Sequence, residues 1–192
     1  EVDNSGISLQ ADWDTDFATI TSITSFRQSD LATNQDSDFT SADLIGSNRS
    51  DTSLETFTQE IRLTSNNTDG PIDWMVGGFY FDESVEIDNG ITYGDDIRGY
   101  INALSSDLLT GLEPVVFGVM PGTFFQSGQG LTESYGQDNT AYSIFGTVDF
   151  HATDRLTATL GLNYTVDEKD AFANIVSTDA FSAIDLNPLD PF

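Results

Sequence analysis

Apolar and polar residues alternate with a period of two in three paired stretches of the chain, the pattern of strands that are apolar on one side. In the first pair, Ile7, Leu9, Ala11 and Trp13 share a face opposite Ser8, Gln10, Asp12 and Asp14. After the polar turn DTD, Ala18, Ile20, Ser22, Thr24 and Phe26 form a weakly apolar face. The second pair sets Phe57, Gln59, Ile61 and Leu63 against Thr58, Glu60, Arg62 and Thr64. It then turns through NNTDGP, where Asp69-Gly70 suits positive φ and Pro71 stops a ladder. Its partner carries Trp74, Val76, Gly78 and Tyr80 on one side and Met75, Gly77, Phe79 and Phe81 on the other, so both faces are expected to be covered or membrane-embedded over part of their length. In the third pair, Tyr142, Ile144, Gly146, Val148 and Phe150 are followed, after HATD, by Leu156, Ala158, Leu160, Leu162 and Tyr164.

These runs approach the roughly 9 to 11 residues that cross a bilayer at a tilt, against about 5 or 6 for an ordinary strand. The expected hairpins cover residues 6–27, 56–82 and 141–166, with short links inside each pair and long loops at 28–55, 83–140 and 167–192. Trp13, Phe17, Trp74 and Phe150 lie beside the short links, while Phe26, Phe57, Tyr80, Tyr142 and Tyr164 lie at the opposite ends, as anchoring at two membrane interfaces requires. The expected fold class is therefore all-β, an antiparallel up-and-down transmembrane β-barrel segment of about six strands with long extracellular loops.

Composition narrows the function. The 192 residues carry a formal net charge of −26 with only 6 Lys and Arg, which excludes nucleic acid as a partner, since phosphates would be repelled. Most of the 32 Asp and Glu fall in the expected loops. The chain contains 14 Phe and is 38% hydrophobic, far more than an acidic disordered tail carries. Without cysteine there is no disulfide, thiol catalysis or cysteine metal site, and a lone His151 rules out a multi-histidine centre. No apolar run reaches the ~18 residues of a transmembrane helix, and EVDNSGISLQ is not a signal peptide. Either export is not required or these residues are not the true start of the gene product.

ETFTQEIRLTSNNTDGPIDWMVGGFYFDES and AYSIFGTVDFHATDRLTATLGLNYTVDEKDA, with the earlier ATITSITSFRQSD, resemble barrel hairpins of TonB-dependent outer-membrane receptors. The resemblance rests on the patterns FTQEIRL, WMVGGFYFDE and TDRLTATLGLNYTVDEK and covers the six strands, about half of the chain. It implies a cell outer membrane location in a Gram-negative bacterium, outer-membrane lipid around the strands and a small nutrient ligand. It also implies energy-coupled uptake of a siderophore, vitamin or glycan, with the TonB complex engaged through a plug domain that is missing here. Such barrels have about 22 strands around a plugged lumen, so the chain is expected to be an internal piece of the wall, beginning and ending in extracellular loops. Two open edges would prevent it from transporting alone. The alternatives are a secreted acidic β-sandwich binding module, with or without calcium, and a structural subunit whose edges are completed by other copies.

Several residues have two readings. Glu60 and Arg62, two apart on the polar face, can meet ligand or plug, or form a structural ion pair. Asp36 with Asp38, or Asp82, Glu83, Glu86 and Asp88, can offer carboxylates to calcium or be solvated; no segment reproduces the calcium loop. His151 reads as a solvated turn residue. Three glycosylation triplets begin at Asn48, Asn66 and Asn163, but the bacterial host that the resemblance implies would make them irrelevant. In the longest loop, Ile101, Leu104, Leu108, Leu109 and Leu112 have helical spacing, with Pro114 as the expected end. Beyond it, Phe117, Phe124 and Phe125 stand in an apolar stretch that either touches an apolar ligand or packs on the loop itself. No catalytic motif occurs and no cofactor is expected, so an enzyme is not expected.

Overall fold

The computed structural model describes residues 1–66 and 70–184. Six strands run through it: β1 Val2–Asp14, β2 Ala18–Asn34, β3 Ile45–Ser65, β4 Ile72–Tyr93, β5 Gly130–Thr153 and β6 Leu156–Ser177. Two helices, α1 Ile97–Leu104 and α2 Leu109–Val116, interrupt the run between β4 and β5. The strands form one antiparallel sheet in the order β1-β2-β3-β4-β5-β6, an all-β up-and-down arrangement rather than the two facing sheets of a sandwich.

The register preserves the alternation from strand to strand. Ile7 pairs with Phe26, Phe26 with Phe57, Ile61 with Gly78, Val76 with Gly146 and Gly146 with Leu162. All six apolar stripes therefore fall on one face of the sheet. A slip of one residue in any pair would have put a stripe on the wrong side. Turns join the strands at one end, at 15–17 and 154–155, and the longer segments 35–44 and 94–129 join them at the other. Asp69 of the second turn and the LNPLDPF end of the chain lie outside the described residues.

The short ends are tied across hairpins. Thr15 accepts from the Ala18 amide through Oγ1 at 3.2 Å, and Asn66 donates from Nδ2 to the Thr15 carbonyl at 2.7 Å, linking the first turn to the end of β3. His151 belongs to β5 rather than to a turn, and its ring nitrogens meet Asp73 at 2.7 Å and Thr157 at 2.9 Å, so it bridges three strands. The turn falls two residues later than HATD suggests, because pairing continues to Thr153 opposite Leu156.

The strands are much longer than their apolar stripes. Residues 45–55 and 83–93, expected in loops, pair with each other through Asp51↔Asp88 up to Ile45↔Tyr93, and β5 starts at Gly130. The first residues of the chain are likewise in β1, paired from Val2 with Leu31, not in a loop. The correction has a physical cause: the apolar stripe marks where one face leaves water, whereas pairing needs only backbone partners and residues such as Thr, Ile, Val and Tyr that suit a pleat. The single helix expected over 101–112 is two. Ser106 and Asp107 adopt positive φ of 55° and 63° and break it, and Ser105 Oγ, donating to the Asn102 carbonyl at 2.8 Å, accepts from the Leu109 amide at 3.2 Å. Pro114 lies inside α2 instead of ending it, with the helix running on to Val116 and Phe117 as its C-cap.

Candidate functional site

The sheet has almost no core of its own. Among the described residues the buried apolar side chains are Ala18, Ile97, Leu109 and Phe124, whereas Leu9, Ile144, Leu160, Leu162 and Tyr164 stand at 67–75% exposure on the same face. Single-layer sheets are not stable with such a face in water, since burial of each side chain of this size is worth about 1.5–3 kcal/mol. The apolar face must therefore meet another phase or another layer.

One level of the sheet marks where this demand stops. Phe57 lies 6.1 Å from Tyr80, and Tyr80 5.7 Å from Tyr142, ring centroid to ring centroid, in a cross-strand row. Two residues further along each strand, on the same face, the apolar side chains give way to polar or acidic ones: Phe26 to Gln28, Phe57 to Glu55, Tyr80 to Asp82, Tyr142 to Thr140 and Val166 to Glu168. Asp82 accepts from the Tyr80 hydroxyl at 3.0 Å and from Thr140 Oγ1 at 3.1 Å, so the row and the acidic rim are joined by hydrogen bonds. At the other end Trp74 pairs with Val148 and Ile72 with Phe150. From Ile72 to Tyr80 the stripe covers about 27 Å along the strand at ~3.4 Å per residue, close to the ~25 Å of a membrane barrel's apolar band before tilt is allowed for.

The opposite face carries Glu60 and Arg62, 3.4 Å apart as an ion pair and partly exposed. Beside them Phe79, Ser143 and Phe145 line an open groove of about 480 Å³ that Glu60 borders. Phe145 pairs with Gly77, and its ring lies where a side chain at Gly77 would have to be. That close approach accounts for the glycine. Asp82, Glu86 and Asp88 occupy even positions of β4 and Glu83 an odd one, so alternation divides the acidic group between the two faces. Asp38 is committed to its own loop, accepting from Thr40 N at 2.9 Å, Leu44 N at 3.0 Å and Ile45 N at 3.1 Å. The Thr40 and Ile45 amides hold its carboxyl below the usual range. Among the described residues no three His, Asp or Glu converge as a metal site.

Residues 94–129 fold into a cap over the long-loop end. Glu113 is fully buried and accepts from Arg98 at 2.9 and 2.8 Å, from Phe124 N at 2.9 Å and from Gly122 N at 2.6 Å, while Arg98 also donates to the Phe124 carbonyl at 2.7 Å. The bidentate guanidinium, with help from the two amides, holds the Glu113 carboxyl down to about 2 against desolvation that pushes the other way. Phe124, 1% exposed, sits edge-on to Phe117 at 5.4 Å and to Phe181 at 5.5 Å; Phe125 packs in a tilted geometry against Phe181 at 5.0 Å and Tyr93 at 5.7 Å. The three loop phenylalanines thus form one aromatic cluster joining the cap to the end of β4 and to the segment after β6. Burial raises the Tyr93 hydroxyl, with Asp179 adding to the effect. Arg98 and Glu113 were not singled out in the sequence; the usable signal was a lone arginine in a loop otherwise without cations.

A wide antiparallel sheet that is apolar on one face up to a sharp level, with short turns at one end and a folded cap at the other, defines a wall rather than an enclosed domain. Among solved structures, the chain is similar to the ferric yersiniabactin uptake receptor FyuA from Yersinia pestis, with a TM-score of 0.63 at 13% identity over 92% of this chain. The match covers 22% of that receptor, so the chain spans about a fifth of its length. No family model and no curated protein matches the sequence. The likeness is one of fold alone: a wide antiparallel up-and-down sheet.

Proposed function

We propose that the chain is a wall segment of a TonB-dependent outer-membrane receptor, with its apolar face in lipid, its short turns in the periplasm and its acidic sheet and cap outside the cell. Energy-coupled uptake of a scarce nutrient such as a siderophore, vitamin or glycan is the function this reading assigns. The TonB complex acts through a plug domain, and the chain itself performs no catalytic step. The observation that carries the reading is the change from apolar to polar or acidic side chains on five consecutive strands, in register from β4 to β6 and from β2 to β3 and stepped by two residues between β3 and β4, where Phe57 pairs with Asp82. A water-to-lipid boundary produces such a band across neighbouring strands; a second sheet packed on the face would not need it. Polarity supports the orientation, since the long acidic ends belong in water.

The test is carbonate and urea extraction of membranes from cells expressing the protein, followed by protease shaving of intact cells. Resistance to extraction, with external cuts confined to 35–44 and 94–129, is the expected result. A product released as soluble protein would sink the reading in favour of the secreted binding module.

A further inference from the structure

The acidic half of the sheet holds one anomaly among its hydrogen bonds. Asn139 Oδ1 is buried, and among the described residues it is the one buried side-chain oxygen or nitrogen that meets no hydrogen-bond partner. An orphaned carbonyl of this kind costs about 1–3 kcal/mol, so its surroundings have to account for it. The register names them. Asn139 pairs with Glu83 of β4 on one side and with Lys169 of β6 on the other. Alternation puts all three on one face, and directly opposed side chains on neighbouring strands start only about 4.5–5.5 Å apart at Cβ. Lys169 is the only lysine in the chain. A carboxylate, a carboxamide and a primary amine therefore form one row across three strands.

The row is set among apolar neighbours: Phe81 and Val85 flank Glu83 along β4, and Ala141 of β5 and Ala171 of β6 lie on the same face. Thr56 Oγ1 donates to Glu83 Oε2 at 3.2 Å and anchors the carboxylate from β3. Lys169 Nζ lies 3.6 Å from Asp167, two residues back along β6, with both side chains about half exposed. Such a pair is worth under about 1 kcal/mol, so it does not keep the flexible lysine stem from its cross-strand neighbour. We infer that Lys169 and Asn139 join in an isopeptide bond, with Glu83 moving the protons. The neutral amine attacks Asn139 Cγ; the Nζ–Cγ bond forms and the Cγ–Nδ2 bond breaks. Glu83 takes one proton from Nζ and returns one to Nδ2, which leaves as ammonia. Atoms and charges balance with no oxidant, metal or second substrate. Lysine amines are seldom neutral near pH 7. Groups held opposite each other, however, gain effective concentrations of up to about 10⁵–10⁸ M, and the departure of ammonia makes a step needed once per molecule one-way. The bond clamps β5 to β6 beyond the end of the apolar stripe. It goes beyond the proposed uptake function and does not depend on which medium covers the apolar face.

A single lysine makes the test clean. The protein is purified in folded form from whichever fraction of the cell holds it, then denatured and digested with trypsin, which does not cut after an acylated lysine. The expected product is residues 99–155 joined to a peptide that starts at 156 and runs uncut through Lys169, the pair being one ammonia lighter than the sum of its parts. Asn139→Ala and Lys169→Arg should abolish the branched product, and Glu83→Gln should lower its yield about tenfold or more. Separate peptides 99–155 and 156–169 at their full masses would overturn the inference. So would loss of ammonia without joining, the mark of a cyclised asparagine. A full yield from Glu83→Gln would overturn the centre as drawn, since the bond would then owe nothing to the carboxyl. Membrane extraction and digestion read different things, so the wall reading can fail with the bond intact, and the bond with the wall reading intact.

Discussion

The apolar-faced half of β5 and β6 and the cap solve the same problem in opposite ways. In the strand half, Ile144, Leu160, Leu162 and Tyr164 stay at 67–75% exposure and pack on nothing in the chain. In the cap, 36 residues long from 94 to 129, the side chains turn inward around Phe124 and a fully buried carboxylate. The difference teaches that apolar content alone does not say where a core is. The wall takes its apolar contacts from its surroundings, and its stability therefore depends on the medium. The cap supplies its own contacts and should hold in water. If this is right, each region can be broken without breaking the other.

The largest effect is expected from Glu113→Ala. Removing the carboxylate leaves Arg98 half-enclosed and two amides without an acceptor, a loss of about 3–5 kcal/mol for a buried pair broken on one side. Hydrogen exchange should show residues 94–129 losing protection while β5 and β6 below the aromatic row keep theirs. Loss of protection in both regions would mean that the cap holds the wall together and that the two are not independent.

Leu160→Arg should break the other region. A cation on the lipid side near the middle of the stripe costs about 2–4 kcal/mol in a membrane barrel. Thr159→Arg, one residue along and on the opposite face, should cost little. The pair is read by urea titration of protein reconstituted in vesicles. Equal costs would mean that the two faces meet the same medium, against the lipid assignment.

Acid should reproduce part of the Glu113→Ala effect. The Glu113 carboxyl falls from 4.5 to about 2 on folding, so the stability it contributes is fully present above pH ~4.5 and is lost as the pH drops toward 2. Asp38, also held low by the Thr40 and Ile45 amides, loses its share in the same direction. Exchange in the cap should therefore rise between pH 4.5 and 2 in the parent chain and change much less in Glu113→Gln. Protection that increases with acid would contradict the ion pair.

Much of the wall was legible in the sequence because period-two alternation writes a face directly: Leu156, Ala158, Leu160, Leu162 and Tyr164 read as one stripe, and the register puts them on one side. The upper half of the same strands was not legible. At Asn139↔Lys169 the apolar stripe has ended and only the backbone ladder keeps the strand going, while on β4 Val85, Ile87 and Ile91 do alternate with Glu86, Asp88 and Gly90, but on the face opposite the stripe. The cap was half legible. Helical spacing at Ile101 and Leu104 was visible, but the break at Ser106 and Asp107 depends on left-handed backbone that no apolar period encodes. The Arg98–Glu113 pair joins residues 15 apart in sequence, and only the fold brings them together. Glu60 and Arg62 were legible as neighbours because two residues apart on a strand is one face.

The smallest effect separates the two ends of a single residue at the level where the apolar stripe gives way to polar side chains. The Tyr80 ring extends the row between Phe57 and Tyr142, and its hydroxyl donates to Asp82 at 3.0 Å. Tyr80→Phe keeps the ring and removes only the hydrogen bond. Asp82 still accepts from Thr140 Oγ1 and is open to water, so the loss should be no more than about 0.5–1.5 kcal/mol. Tyr80→Ala also removes the ring from the row, and an aromatic pair adds about 0.5–1.5 kcal/mol beyond the area it covers, so its cost should be clearly larger. The comparison is again urea titration in vesicles. If Tyr80→Phe proves as damaging as Tyr80→Ala, the row owes its place to the acidic rim above it and not to the apolar stripe below, and the interface must be drawn one residue nearer the short turns.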